Sequence, residues 1–86
     1  MISVDGLIKE VSSLKVSSEQ LSFLLSAAGQ ELQSSTNMIS TIVQGSRTGQ
    51  DAVVSLGAAS KSLLDASASI KTLERTCDEC VAILSR

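Results

Sequence analysis

Histidine, tryptophan, tyrosine and proline are all missing from this 86-residue chain, and Phe23 is its one aromatic residue. Each absence excludes something. Without histidine the commonest general base is gone, and no serine, cysteine or carboxylate stands in a recognisable nucleophile motif, so a protein that is not an enzyme is expected. The Gly45-Ser46-Arg47-Thr48-Gly49 stretch lacks the Gly-Lys-Ser/Thr ending of a phosphate loop. Without proline nothing in the chain has to break a helix. No run of about 18 apolar residues is present to span a bilayer, and the N-terminus lacks the basic-then-apolar order of a cleavable signal. The chain is therefore expected to be made as a soluble protein, with no membrane insertion. Seven basic against nine acidic residues leave a net charge of −2, which provides no electrostatic case for nucleic acid or an anionic membrane surface. Two cysteines, Cys77 and Cys80, are too few and too close together to build the multi-bridge framework of a small secreted domain.

What is abundant is alanine, serine and leucine, a composition that points to an all-α fold. At this length the chain is one small domain, residues 1–86. That is below the size at which a single hydrophobic core comfortably stabilises a fold, so a helical partner is expected.

Between Val4 and Ile42 a seven-residue repeat runs in three-four steps through Val4, Leu7, Val11, Leu14, Ser18, Leu21, Leu25, Ala28, Leu32, Ser35, Ile39 and Ile42. Ten of these twelve positions are apolar. The pattern predicts one helix over about 4–44 with a coiled-coil-like seam, roughly 60 Å long, started by Ser3 or Asp5. The stepping returns at Ala52, Leu56, Ala59, Leu63, Ala66, Ile70, Leu73, Cys77, Cys80 and Leu84, predicting a second helix over about 50–85. Between them, the bend at 45–49 combines stop and start signals. Gly45 suits the left-handed position that closes a helix, and Thr48 with Asp51 has capping-box spacing for opening the next. The expected shape is an antiparallel hairpin of two long helices. Gly29 and Gly57 fall inside the helices, where glycine is either tolerated, permits close packing, or marks a crossing helix or a bend.

Apolar residues also lie outside this seam. Val16 and Phe23 fall opposite it, Ile8, Leu24, Met38 and Val43 flank it, and Val53, Val54, Leu64, Val81 and Ile83 lie off it on the second helix. Such a surplus implies that other helices cover the hairpin, giving a bundle of four or more. Val16, Phe23, Leu24, Met38, Leu64 and Val81 are the candidate partner-binding residues, with Phe23 either an anchor in a partner groove or a side chain folded over a neighbouring leucine. Cys77 and Cys80 occupy seam positions near a helix C-terminus beside Asp78 and Glu79. This favours small buried hydrophobes over a reactive thiolate or a zinc site, and no cofactor is expected. Lys61, Asp65, Lys71, Glu74 and Arg75 read as a solvated face.

A hairpin of this length with a glycine-containing bend resembles the WXG-type proteins of the ESX superfamily, secreted by bacterial type VII systems. The tripeptide matching the family's Trp-x-Gly is Arg47-Thr48-Gly49, followed by Gln50-Asp51-Ala52. The glycine is kept and the tryptophan is not, so the chain looks most like the small Trp-less partners encoded with LXG toxins. The resemblance implies bend residues Gly45, Arg47, Thr48 and Gly49, and a chaperone-like adaptor that pairs with a toxin's helical N-terminal domain, with a second small helical protein as a further possible partner. It implies residence in the cytoplasm when assembled and export, if any, by the type VII route. Family members often end in an aromatic residue followed four positions later by an acid. No aromatic follows Phe23, so a partner would supply the export signal. Two alternatives stand beside this one: a WXG-like secreted homodimer or self-assembling secretion component, and a redox- or metal-responsive switch at Cys77 and Cys80.

Overall fold

In the structure, a computed structural model describing residues 3–86, the described residues form two helices joined by a short bend. Helix α1 spans Val4–Ile42 and α2 spans Arg47–Leu84. They lie antiparallel in a body 63 × 19 × 13 Å. Thirty-nine residues at about 1.5 Å each account for that length. The expected all-α hairpin is what forms.

Each helix starts on a serine. Ser3 has extended backbone and its Oγ accepts from the Gly6 amide at 3.1 Å, with Asp5 in the positive first turn. Ser46 does the same for α2, accepting from the Gly49 amide at 3.1 Å. The capping box expected from Thr48 and Asp51 is therefore not the start of α2. Ser46, two residues earlier, already satisfies the amide at the third helical position, and Thr48 lies inside the first turn. At the other side of the bend, the Val43 amide donates to the Ile39 carbonyl at 2.9 Å and the Ser46 amide to the Val43 carbonyl at 3.0 Å. Gly45 takes φ +87°, the left-handed conformation expected there.

The seam differs from the expected one in a regular way. On α1 the residues turned toward α2 are Ile8, Val11, Lys15, Ser18, Ser22, Leu25, Gly29, Leu32, Thr36, Ile39 and Val43. Val11, Ser18, Leu25, Leu32 and Ile39 belong to the expected set. The Leu7, Leu14, Leu21, Ala28, Ser35 and Ile42 column is displaced by the residue after each. On α2 Leu56, Leu63, Ile70, Cys77 and Leu84 stay, and Val53, Ser60 and Ser67 lie further in than Ala52, Ala59 and Ala66, while toward the C-terminal end Leu73 and Glu74, like Cys80 and Val81, are half-buried alike. Both helices are thus rotated by about 50° from the apolar seam.

The reason lies in what the displacing residues are. Gly29, Ser22, Ser60 and Ser67 are small and buried, and they let the two backbones come close enough for hydroxyls to reach across. The Ser67 hydroxyl donates to the Ser22 carbonyl at 2.9 Å and the Ser60 hydroxyl donates to the Gly29 carbonyl at 2.7 Å. Leucines in the same column would hold the helices apart. Ser18 and Thr36 instead donate to their own helix, to the Leu14 and Leu32 carbonyls at 2.8 and 2.7 Å. Among the described residues no buried side-chain polar atom is left without a partner. A Cβ on Gly29 would stand 2.9 Å from Leu64 Cγ and 3.3 Å from the Ser60 carbonyl, so this glycine permits close packing. Gly57 faces open space.

Candidate helix-docking face

The rotation leaves the hairpin with very little apolar interior. Cys77 is its one fully buried hydrophobic residue among those described, and Leu25, Leu32, Leu63 and Ile70 are half-buried. The large side chains displaced from the seam are on the surface: Leu7 is 39% exposed, Leu14 48%, Leu21 46% and Ile42 78%.

These residues share one side of the molecule. In an antiparallel pair the columns lying one residue behind the inner column emerge on the same face, because reversing the helix direction also reverses its sense of rotation. That face carries Leu7, Leu14 and Leu21 on α1 and Ala52, Ala59, Ala66, Leu73 and Cys80 on α2, with Leu24, Met38 and Ile83 along its margins. Ser22 opposite Ser67 and Gly29 opposite Ser60 set the register. The other face is polar, with Ser12, Glu19, Ser26 and Gln33 on α1 against Lys71 and Asp78 on α2. Lys15 bridges the helices at its edge: its ammonium lies 2.6 Å from Asp78 and 3.7 Å from Glu19. The hydrogen bond to Asp78 holds the Lys15 pKa above its ordinary value, more than offsetting partial desolvation. Lys61, Asp65, Lys71, Glu74 and Arg75, expected as a solvated face, make no ion pair with one another.

The six expected partner-binding residues therefore separate into three groups. Leu24 and Met38, 63% and 68% exposed, border the leucine face. Val16 and Phe23 are also exposed but lie on the back of α1, Phe23 about 160° around the helix from Leu21. Leu64 and Val81, expected to lie off the seam, turn toward α1, where Leu64 covers Gly29 and Val81 stands in the inner column. Leu7, Leu14 and Leu21 were missed as surface residues because apolar spacing alone assigns them to the seam. The signal that identifies them is the adjacent column, where Gly29 sits among Ser22 and Thr36.

At the bend, Gly45 and Gly49 have distinct roles. Gly49 lies under Val43, and a Cβ there would stand 2.6 Å from Val43 Cβ. The bend is therefore closed by a valine packed on a glycine backbone, with Arg47 and Thr48 exposed beside it.

An open hollow of about 460 Å³ is bounded by Glu19, Gln20, Phe23 and Leu24, all from one side of α1. Cys77 is buried in the seam and Cys80 is half-buried beside it, both as free thiols. Among the described residues no cluster of three or more metal-binding side chains forms, and no helix is long and apolar enough to cross a membrane. Compared with family models, with curated proteins and with solved structures, the chain matches none.

Proposed function

We propose that this protein is a non-enzymatic helical adaptor whose leucine face packs against the helical N-terminal domain of a type VII-secreted, LXG-type toxin, forming a bundle of four or more helices and assisting the toxin's export. The observation carrying this reading is the exposed column Leu7, Leu14 and Leu21, continued by Leu24, on a hairpin whose buried seam positions are the small residues Ser18, Ser22, Gly29, Thr36, Ser60, Ser67 and Cys77. Exposed apolar surface of this continuity marks interaction sites in soluble proteins. Support for the toxin as partner comes from the resemblance at Arg47-Thr48-Gly49, whose glycine Val43 requires sterically. Covering the leucine face would give the hairpin the apolar core it lacks.

Co-expression with the helical N-terminal domain of an LXG toxin encoded beside this chain tests the proposal. The two are expected to co-purify, and Leu14→Glu or Leu21→Glu is expected to reduce the recovered complex at least tenfold, about 1.4 kcal/mol or more. A well-folded hairpin that ignores the toxin domain would refute this reading.

A further inference from the structure

Cys77 and Cys80 stand one turn apart on α2 in different surroundings. Cys77 is 3% exposed, closed into the seam against α1. Cys80 is half-buried at the open end of the leucine face, level with Leu7 in the register that Ser22 opposite Ser67 and Gly29 opposite Ser60 set. Both are free thiols. One sulfur is therefore open to solvent and its neighbour is shielded from it.

Helix geometry decides what joining them requires. Residues three apart on a helix hold their Cβ atoms about 5–6 Å from each other, whereas a disulfide needs about 3.5–4.5 Å. The bond forms only if the peptides between the two cysteines leave helical geometry. The C-terminal end of α2 is built to allow this. The helix stops at Leu84, seven residues past Cys77, and no basic residue stands in its last turn to complement the carbonyls there. Between the cysteines, Asp78 is tied to α1 by the Lys15 ammonium at 2.6 Å, but both side chains are more than a third exposed, and a pair of that kind holds a turn only weakly.

We propose that Cys77 and Cys80 form a thiol–disulfide exchange site for low-molecular-weight disulfides, with Cys80 the entry thiol and Cys77 the resolving one, and that closing the bond unwinds α2 from Cys77 onward. The Cys80 sulfur attacks one sulfur of the small disulfide, whose S–S bond breaks; a mixed disulfide forms and the first small thiol leaves with the Cys80 proton. As the helix end opens, the Cys77 sulfur attacks Cys80 of the mixed disulfide, and the second small thiol leaves with the Cys77 proton. The chain has then given two electrons to the small disulfide. Oxidation takes Cys77 out of the seam, parts Asp78 from Lys15 and withdraws Cys80 from its place beside Leu7, so the leucine face loses its open end. Reduction restores all three. The site does not rest on the identity of any partner of that face.

Incubating the folded chain with excess oxidised glutathione, followed by intact-mass spectrometry and circular dichroism, tests the proposal. The native chain is expected to end two hydrogens lighter with no glutathione attached, and to lose up to about a tenth of its helical signal, the share that Cys77–Leu84 makes up of the helical residues. Dithiothreitol is expected to return that signal. Cys77→Ala is expected to stop at the glutathione adduct on Cys80, and Cys77→Ser, nearer to the native volume, to do the same should the alanine variant lose helix on its own. Cys80→Ser is expected to react roughly tenfold more slowly than the native chain or slower still, because Cys77 is reached only when the helix end opens. A native chain that stays reduced, keeps the glutathione adduct or links to a second chain would overturn the proposal. So would a Cys80→Ser chain that reacts as fast as the native one, or an internal disulfide that forms with the helical signal unchanged.

Discussion

Ser22 and Ser67 face each other across the centre of the hairpin, with their Oγ atoms 3.2 Å apart and the Ser67 hydroxyl donating to the Ser22 carbonyl at 2.9 Å. The Ser22 hydroxyl lies 3.4 Å from the Ser67 carbonyl. Both residues are buried, so each helix meets the other almost backbone to backbone. Replacing Ser67 with leucine would force the helices apart and is expected to cost about 1–3 kcal/mol of unfolding free energy in urea melts. Ser67→Ala removes only a neutral hydrogen bond and is expected to cost about 1 kcal/mol. Equal effects of the two substitutions would mean that closeness at this point is unimportant.

Gly29 and Gly57 make opposite predictions. Alanine at either gains intrinsic helix propensity, up to about 1 kcal/mol. At Gly57 the added methyl meets open space, so Gly57→Ala is expected to raise the thermal midpoint. At Gly29 the methyl presses on Leu64 and on the Ser60 carbonyl, disturbing the hydrogen bond that Ser60 donates to Gly29, so Gly29→Ala is expected to lower it. Thermal melts of the two variants side by side decide the matter by sign alone.

At the bend the expected effects come from different physical sources. Gly45→Ala forces a side chain into left-handed backbone, a cost of about 1–2 kcal/mol with no partner residue able to relieve it. Gly49→Ala clashes with Val43. The latter should be rescued in part by Val43→Gly, which removes the Cβ it meets, and the former not at all. A double-mutant cycle from chemical denaturation provides the test, with additivity at Gly49 and Val43 the outcome that contradicts the packing.

Lys15 introduces a pH dependence at the alkaline end. Its folded-state pKa is raised above the ordinary 10.5 by the Asp78 carboxylate. A raised lysine binds its proton more tightly when folded, so its contribution is complete below the unfolded pKa and disappears as the pH climbs through the folded one. Stability is expected to fall above about pH 10.5 in the native chain relative to Lys15→Met, and the difference between them at neutral pH should shrink in high salt. A difference that persists unchanged at strongly alkaline pH would show that Lys15 acts through its aliphatic stem.

Fold class and connectivity were legible in the residues themselves. The three-four spacing, the absence of proline and the glycine at position 45 require two long helices and a bend, because helix periodicity and left-handed backbone are local properties. The helix starts were legible at Ser3 but not at Ser46. There Thr48 offered a similar signal two residues later, and only the path of the backbone chooses between two serine-like caps.

The orientation of the helices about their own axes belonged to the tertiary structure. Leu14 and Lys15 are neighbours in sequence, and apolarity alone sends the leucine inward. The structure puts Lys15 at the seam and Leu14 on the surface, because the column containing Lys15 also contains Ser22 and Gly29, whose small size permits an approach that leucines prevent. Spacing along one chain records which residues share a side of a helix. Which side faces inward depends on the distance between two helices and on whether Ser60 and Ser67 can reach the opposite carbonyls, and that distance exists only once both helices are packed.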